Sequence, residues 1–212
     1  MEILKDVSGS LERGDHERVA ELVRRAMEEG TPVAAILNDG LIAGMNVVGE
    51  QFRVHEIFLP DVLLAAKAMT AGMELLKPAL IENEVPSRGK VVIGSAHGDL
   101  HDIGKNLVGI MLQGAGFEVI DLGNDVPPER FVDAAVDADA TIIGMSALLT
   151  TTMGTMKNVV ELVGARGLTD RVKVIVGGAP VSPEFAEEIG ADAYGYDAAN
   201  AVERVRALVG AA

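Results

Sequence analysis

The chain has no cysteine, which excludes a disulfide framework and every thiolate-based metal or redox site. It has no tryptophan either, and aromatic residues make up only 3% of its 212 positions, so there is little to stack on nucleobases. Basic residues are in the minority, 18 Lys and Arg against 32 Asp and Glu, for a net charge of −14. An acidic surface without basic clusters repels phosphate backbones, and nucleic acid is not an expected partner. No apolar run reaches the ~18–20 residues of a membrane span. The start, Met1 to Asp6, lacks the basic and apolar regions of a secretory signal. These absences predict a cytoplasmic protein with no membrane contact. What the chain does have is apolar side chains, 49% of its residues, enough for one large domain or two small ones.

Two periodicities divide it. From Asp15 to about Asn83 the pattern is helical throughout. Asp15 is placed to cap a helix bearing Val19, Leu22, Val23 and Ala26 at i, i+3, i+4 and i+7. Thr31-Pro32 reads as the next start, a capping hydroxyl with proline at the first helical position. That helix carries Val33, Leu37, Leu41, Met45, Val48 and Phe52 on one face, with Gly40, Gly44 and Gly49 permitting close approach. A further helix opens at Leu59-Pro60-Asp61 and presents Val62, Ala66, Met69, Met73 and Leu76 as core. With a short helix from Ile3 to Leu11 the count is four, and the short connections favour a bundle. The predicted domains are a helical cap over 1–83, a polar linker over 84–89 and an α/β domain over 90–212.

In the α/β part, strands are predicted at 91–94, 117–122, 140–146, 172–177 and 191–196. Helices are predicted at 103–113, 128–136, 152–163, 183–189 and 198–209. Five βα units with apolar strands imply a parallel sheet covered on both faces, of the flavodoxin-like doubly wound kind with order 2-1-3-4-5. Ligands of such sheets bind beyond the carboxyl ends of the strands, where strands one and three part. The polar and glycine-rich stretches fall at such ends: His97-Gly98-Asp99-Leu100-His101, then Ser146 to Thr152, then Gly177-Gly178.

The usual occupants of that edge leave different marks. The first turn lacks the G-x-G-x-x-G spacing of a dinucleotide site, and no P-loop string exists. A receiver domain needs an aspartate where strand three ends in Ser146. The loop after strand one also lacks the Ser and Thr of a flavodoxin phosphate loop. What it offers is a histidine with an aspartate two residues before it. A ligating imidazole donates its second N–H to such a carboxylate, which fixes its tautomer. One histidine cannot hold a free ion, but it suffices where a macrocycle fills the other positions.

Asp99-Leu100-His101-Asp102-Ile103-Gly104 matches the D-x-H-x-x-G signature of corrinoid-binding domains. Ser146-Ala147-Leu148 then matches S-x-L, and Gly177-Gly178 the following G-G element. Gly49-Glu50-Gln51-Phe52 and Phe58-Leu59-Pro60 are similar to the four-helix cap that precedes such domains. The chain therefore resembles, over nearly its whole length, the corrinoid methyl-carrier proteins of methyltransferase systems and the cobalamin-binding module of methionine synthase.

The resemblance implies cobalamin or a related corrinoid, held with its own nucleotide base off the cobalt and His101 as the lower axial ligand. Asp99 would accept the His101 N–H, and Thr152 stands where methionine synthase extends this relay with a serine. Ser146 and Thr150 would contact the displaced nucleotide tail. Gly177 and Gly178 would leave it room, and Gly104 would let the first helix start near it. Gly98, Leu100 and Asp102 would line the loop beneath the corrin, Ile103 and Leu148 are cofactor-binding candidates from the matched D-x-H-x-x-G and S-x-L elements, and Phe58 would face the methyl side. His97 lies outside the matched string; His16 and His55 read as surface residues.

The implied function is a methyl shuttle between cob(I)alamin and methylcobalamin, with cob(II)alamin as a further form of the cofactor, in a carrier that is not itself an enzyme. Its implied partners are a substrate:corrinoid methyltransferase, a methylcorrinoid:acceptor methyltransferase and a reductive activase. The alternatives are a cobalamin-dependent sensor, the small subunit of a carbon-skeleton mutase, and a flavodoxin-like interaction module without cofactor. The carrier is preferred because the stretch before Asp15 is short and acidic for a DNA-binding domain and no substrate barrel follows the last βα unit.

Overall fold

Helical and strand periods sort the chain into two units, a helical one and an α/β one that begins at Ser87. The computed structural model describes residues 2–83 and 87–210; part of the linker predicted over 84–89, residues 84–86, lies outside them.

In the helical unit, α1 (Glu2–Glu12) and α2 (His16–Glu28) bury Leu4, Val7 and Leu11, and Val19, Leu22, Val23 and Ala26. Asp15 caps α2, its Oδ1 accepting the N–H of Arg18 at 3.0 Å. The third helix departs from the sequence reading. Pro32 occupies the cap position, with φ −54° and ψ 131°, and helix begins only at Val33. α3 (Val33–Ala35) then passes through a π-helical stretch, Ile36–Ile42, into α4 (Ala43–Arg53). The wider turn rotates the buried face onto Ile36, Leu41, Ile42, Met45 and Val48, and Leu37 is only half-buried. It also sets Gly40 and Gly44 against α1, where a Cβ would meet Val7 at 3.1 Å and the Ser8 carbonyl at 2.9 Å.

α5 (Leu59–Glu82) follows Phe58, whose N–H donates to Asp61 Oδ2 at 2.9 Å, half of a capping box. Its buried face is Val62, Ala65, Ala68, Met69, Gly72 and Leu76. Ala66 and Met73, expected in the core, are half-buried; small residues take that seam because α2 and the third helix press on it. A Cβ on Gly72 would lie 2.8 Å from Leu41 and 3.2 Å from Val19.

The α/β unit is a five-stranded parallel sheet in the order β2-β1-β3-β4-β5. Its strands are β1 (Lys90–Ser95), β2 (Glu118–Asp121), β3 (Ile142–Ser146), β4 (Lys173–Gly177) and β5 (Ala193–Gly195). Its helices are α6 (Ile103–Gly114), α7 (Pro128–Asp137), α8 (Gly154–Ala165), α9 (Pro183–Ile189) and α10 (Ala198–Gly210). Val92, Ile143, Val174 and Val176 pack with Phe131, Met156 and Val159 in one buried core. Gly109 brings α6 onto the sheet at Ile93. α8 starts at Gly154, two residues later than predicted, because the amides and hydroxyl of residues 148–152 are engaged elsewhere. Among the described residues no helix is long and apolar enough to cross a membrane.

Candidate functional site

Strand register brings three loops to one level. Ser95 of β1 pairs with Ser146 of β3, which pairs with Gly177 of β4. The segments starting at Ala96, Ala147 and Gly178 therefore leave the sheet side by side, at the point where β1 connects outward to β2 and β3 to β4.

After β1 the chain turns tightly, with the Asp99 N–H donating to the Ala96 carbonyl at 2.9 Å. Gly98 sits at the third position with φ +84°, the sign such a turn demands and glycine supplies without strain. The turn drops Asp99 into the protein, with no exposed surface. Its Oδ1 accepts the His101 N–H at 3.1 Å and lies 2.8 Å from His101 Nδ1. The Ser95 hydroxyl donates to the His101 carbonyl at 2.7 Å, tying the loop back to its strand. Asp102 follows with its carbonyl accepting the Asn106 N–H at 2.7 Å, which opens α6.

The second oxygen of Asp99 is held from β3. Oδ2 accepts the N–H groups of Leu148 at 2.7 Å and Leu149 at 3.1 Å. The Thr152 hydroxyl lies 2.9 Å from it and 2.8 Å from the Leu149 carbonyl. With one proton to give, that hydroxyl is best used on the charged acceptor. Burial pushes the Asp99 carboxyl up, but the Leu148 amide, the ring and amide of His101 and the Thr152 hydroxyl outweigh it. The group is held well below the usual aspartate range. An ionised carboxylate only accepts, so Nδ1 of His101 carries the proton and Nε2 presents its lone pair away from Asp99. The imidazole is 54% exposed.

The other residues singled out in the sequence take different places. Leu100, Ile103 and Leu148 are exposed, as is Leu149, which sequence reasoning did not single out; they lie on the same two loops as His101 and Thr152, Ile103 at the start of α6. Ser146 is half-buried at the end of β3 and Thr150 is exposed in the following turn. At Gly104 an added Cβ would meet no atom within 4 Å, so the start of α6 is open. Gly177 and Gly178 also lie against the protein's own backbone. A Cβ on Gly177 would stand 2.7 Å from the Gly195 carbonyl oxygen, and one on Gly178, whose φ is +119°, 1.9 Å from that of Ala147. Phe58 belongs to the helical unit, at the cap of α5, and is 67% exposed. His97, outside the matched string, has a carboxylate of its own: Nδ1 lies 2.8 Å from Asp125 Oδ1.

Among the described residues no group of three or more His, Asp or Glu side chains is arranged to hold a metal ion. A single imidazole, fixed by Asp99 and open to solvent, fits a metal already enclosed by a flat macrocycle.

Fold and site together define a doubly wound ligand-binding domain with an imidazole–carboxylate pair at its switch point. The chain belongs to the B12 binding domain family. Residues 89–205 match one profile of that description, and residues 3–77 match a second. It is 44% identical over 209 residues to dimethylamine corrinoid protein 1 of Methanosarcina acetivorans, covering 98% of both chains. It is also 44% identical over 210 residues to trimethylamine corrinoid protein 1 of that organism, covering 98% of this chain and 97% of that one. It superposes on a chain of the methanol:cobalamin methyltransferase complex MtaBC from Methanosarcina barkeri with a TM-score of 0.89 and 32% identity. That match spans 100% of this chain and 81% of the other. The cofactor is cobalamin or a related corrinoid.

Proposed function

We propose that the protein is a methyl carrier that holds its corrinoid base-off, with His101 in the vacated lower position. The observation that carries this reading is the Asp99–His101 pair, an imidazole whose inner nitrogen is committed to a buried carboxylate and whose outer nitrogen is free. When bound, the corrinoid supplies a cobalt that takes up and releases a methyl group as it alternates between Co(I) and Co(III). The chain's residues do the rest. Asp99 draws on the Nδ1–H and makes Nε2 a better donor. The bonds that Asp99 receives from Leu148, Leu149 and Thr152 keep it ionised, so the shared proton stays on the imidazole. Leu100, Ile103, Leu148 and Leu149 exclude water beneath the ring. We assign Gly98, Asp102 and Gly104 to the loop around the ligand, Ser146 and Thr150 to the nucleotide tail, Gly177 and Gly178 to the backbone packing beside it, and Phe58 to the methyl side.

In this reading residues 1–83 are a cap, 84–89 a linker and 90–212 the corrinoid domain. A substrate:corrinoid methyltransferase loads the carrier and a methylcorrinoid:acceptor methyltransferase unloads it, with a reductive activase restoring oxidised protein. Methylated amines are the donor class to try first, since two relatives bear such names.

The test is electron paramagnetic resonance of the protein reconstituted with cob(II)alamin. Nitrogen hyperfine splitting from one imidazole is expected and should vanish in His101→Ala. An unchanged splitting in that variant would remove His101 as the ligand. Methyl transfer with added methylamine methyltransferases then tests the carrier role; uptake of cofactor without any transfer would leave a binder and not a carrier.

A further inference from the structure

Asp125 has a φ of +54°, a left-handed conformation that a residue with a side chain keeps only where its surroundings hold it. What holds it is the loop that carries His101. Asp125 Oδ1 accepts the Gly98 N–H at 2.7 Å and pairs with His97 Nδ1 at 2.8 Å. The Asp125 N–H donates to the Asp99 carbonyl at 3.0 Å. Next to it, Asn124 Nδ2 donates to the Leu100 carbonyl at 3.3 Å. Around this pair of residues, the Ser95 N–H donates to Gly123 O and the Val126 N–H to Ser95 O, both at 3.0 Å. The segment 123–126 after β2 is thus bonded to Ser95, Gly98, Asp99 and Leu100. The two loops divide the work. The β3 loop holds the Asp99 carboxylate, whereas the β2 loop holds the Asp99 main chain. A side chain aims a ring only as firmly as its own Cα is fixed.

We infer that Asp125 is a positioning residue for His101: it fixes the main chain of Gly98 and Asp99 and, through the Asp99 carboxylate, the direction of the imidazole. His97 is the second arm of the same carboxylate, which accounts for a histidine that the corrinoid motif leaves unexplained. The inference rests on the axial role proposed for His101, but the brace belongs to the cofactor-free protein and is measurable there. The bland alternative is a turn that merely needs a residue tolerant of positive φ. It requires no acceptor; a positioning role does.

Two substitutions separate them. Asp125→Gly suits the backbone and removes the acceptor, whereas Asp125→Asn tolerates positive φ and retains an oxygen. In cofactor-free protein, the ring nitrogens of His101 are read by 15N resonance and the Gly98 and Asp99 amides by hydrogen exchange. Asp125→Gly is expected to speed that exchange about tenfold and to mix the single Nδ1–H tautomer of His101; Asp125→Asn should restore both. With cob(II)alamin bound, the ratio of histidine-coordinated to uncoordinated cofactor should fall about tenfold in Asp125→Gly and stay near wild type in Asp125→Asn. Should the glycine variant fold poorly, Asn124→Ala leaves Asp125 in place and should move the same readouts in the same direction by less. A wild-type ring spectrum in Asp125→Gly, or an Asn variant as impaired as the Gly variant, would overturn the inference. Loss of nitrogen splitting in the wild type would instead sink the axial role of His101, and the cofactor-free comparison would still decide that of Asp125.

Discussion

At the scale of single residues, Asp99 is the most constrained group of the site. A buried carboxylate without partners costs several kcal/mol, and here every partner is a proton donor from one of two loops. Thr152→Val keeps the shape and removes one charge-assisted bond, so it should destabilise the fold by about 1.5–3 kcal/mol, whereas Thr152→Ser should cost much less. Urea unfolding of both variants measures the difference. Asp99 also sets a pH dependence. Its folded pKa is depressed, so its contribution is complete above the ordinary aspartate pKa of about 3.9. The contribution is lost as pH falls below that value toward the folded one. The stability gap between wild type and Asp99→Asn in the cofactor-free protein should therefore narrow on acidification below about pH 4. A gap constant down to pH 3 would refute this. The Asp99–His101 pair was legible because an aspartate and a histidine two apart after a strand end carry it; the paired glycines marked a loop, but not the backbone packed against them. Asp125 was not legible. Its signal is a backbone angle and a partner at Gly98, 27 residues away, and neither leaves a mark in composition or periodicity.

At the scale of elements, apolar spacing located every helix and strand, but not the pitch inside one of them. Ile36, Leu41, Met45 and Val48 satisfy a helical stripe whether or not one turn is wider, so the π-helical stretch is invisible until α1 is seen pressing on Gly40 and Gly44. The starts of the helix at Val33 and of α8 were placed too early: Pro32 is the cap itself and not the first helical residue, and Thr152 serves Asp99 ahead of the helix. The loop after β4 carries the element-scale prediction. Gly178→Ala combines a φ of +119° with a Cβ 1.9 Å from the Ala147 oxygen. It should destabilise by about 3 kcal/mol or more, seen as a lower urea midpoint. A near-neutral result would mean that the two loops yield easily.

At the scale of the whole molecule, the change of period near Asn83 was plain in the sequence, and each unit buries a core of its own. A fragment beginning at Ser87 is accordingly expected to unfold in one cooperative transition by circular dichroism; a gradual, featureless melt would count against an independent core. The buried carboxylate at the switch point has a further consequence. Because the amide protons of Leu148 and Leu149 both end on Asp99 Oδ2, they sit across one carboxylate from the imidazole. Two backbone resonances, on a loop fifty residues downstream, thereby become built-in reporters: as ligand is titrated in, they should shift together and in step with the His101 ring, giving an assay of the site that requires neither colour nor turnover.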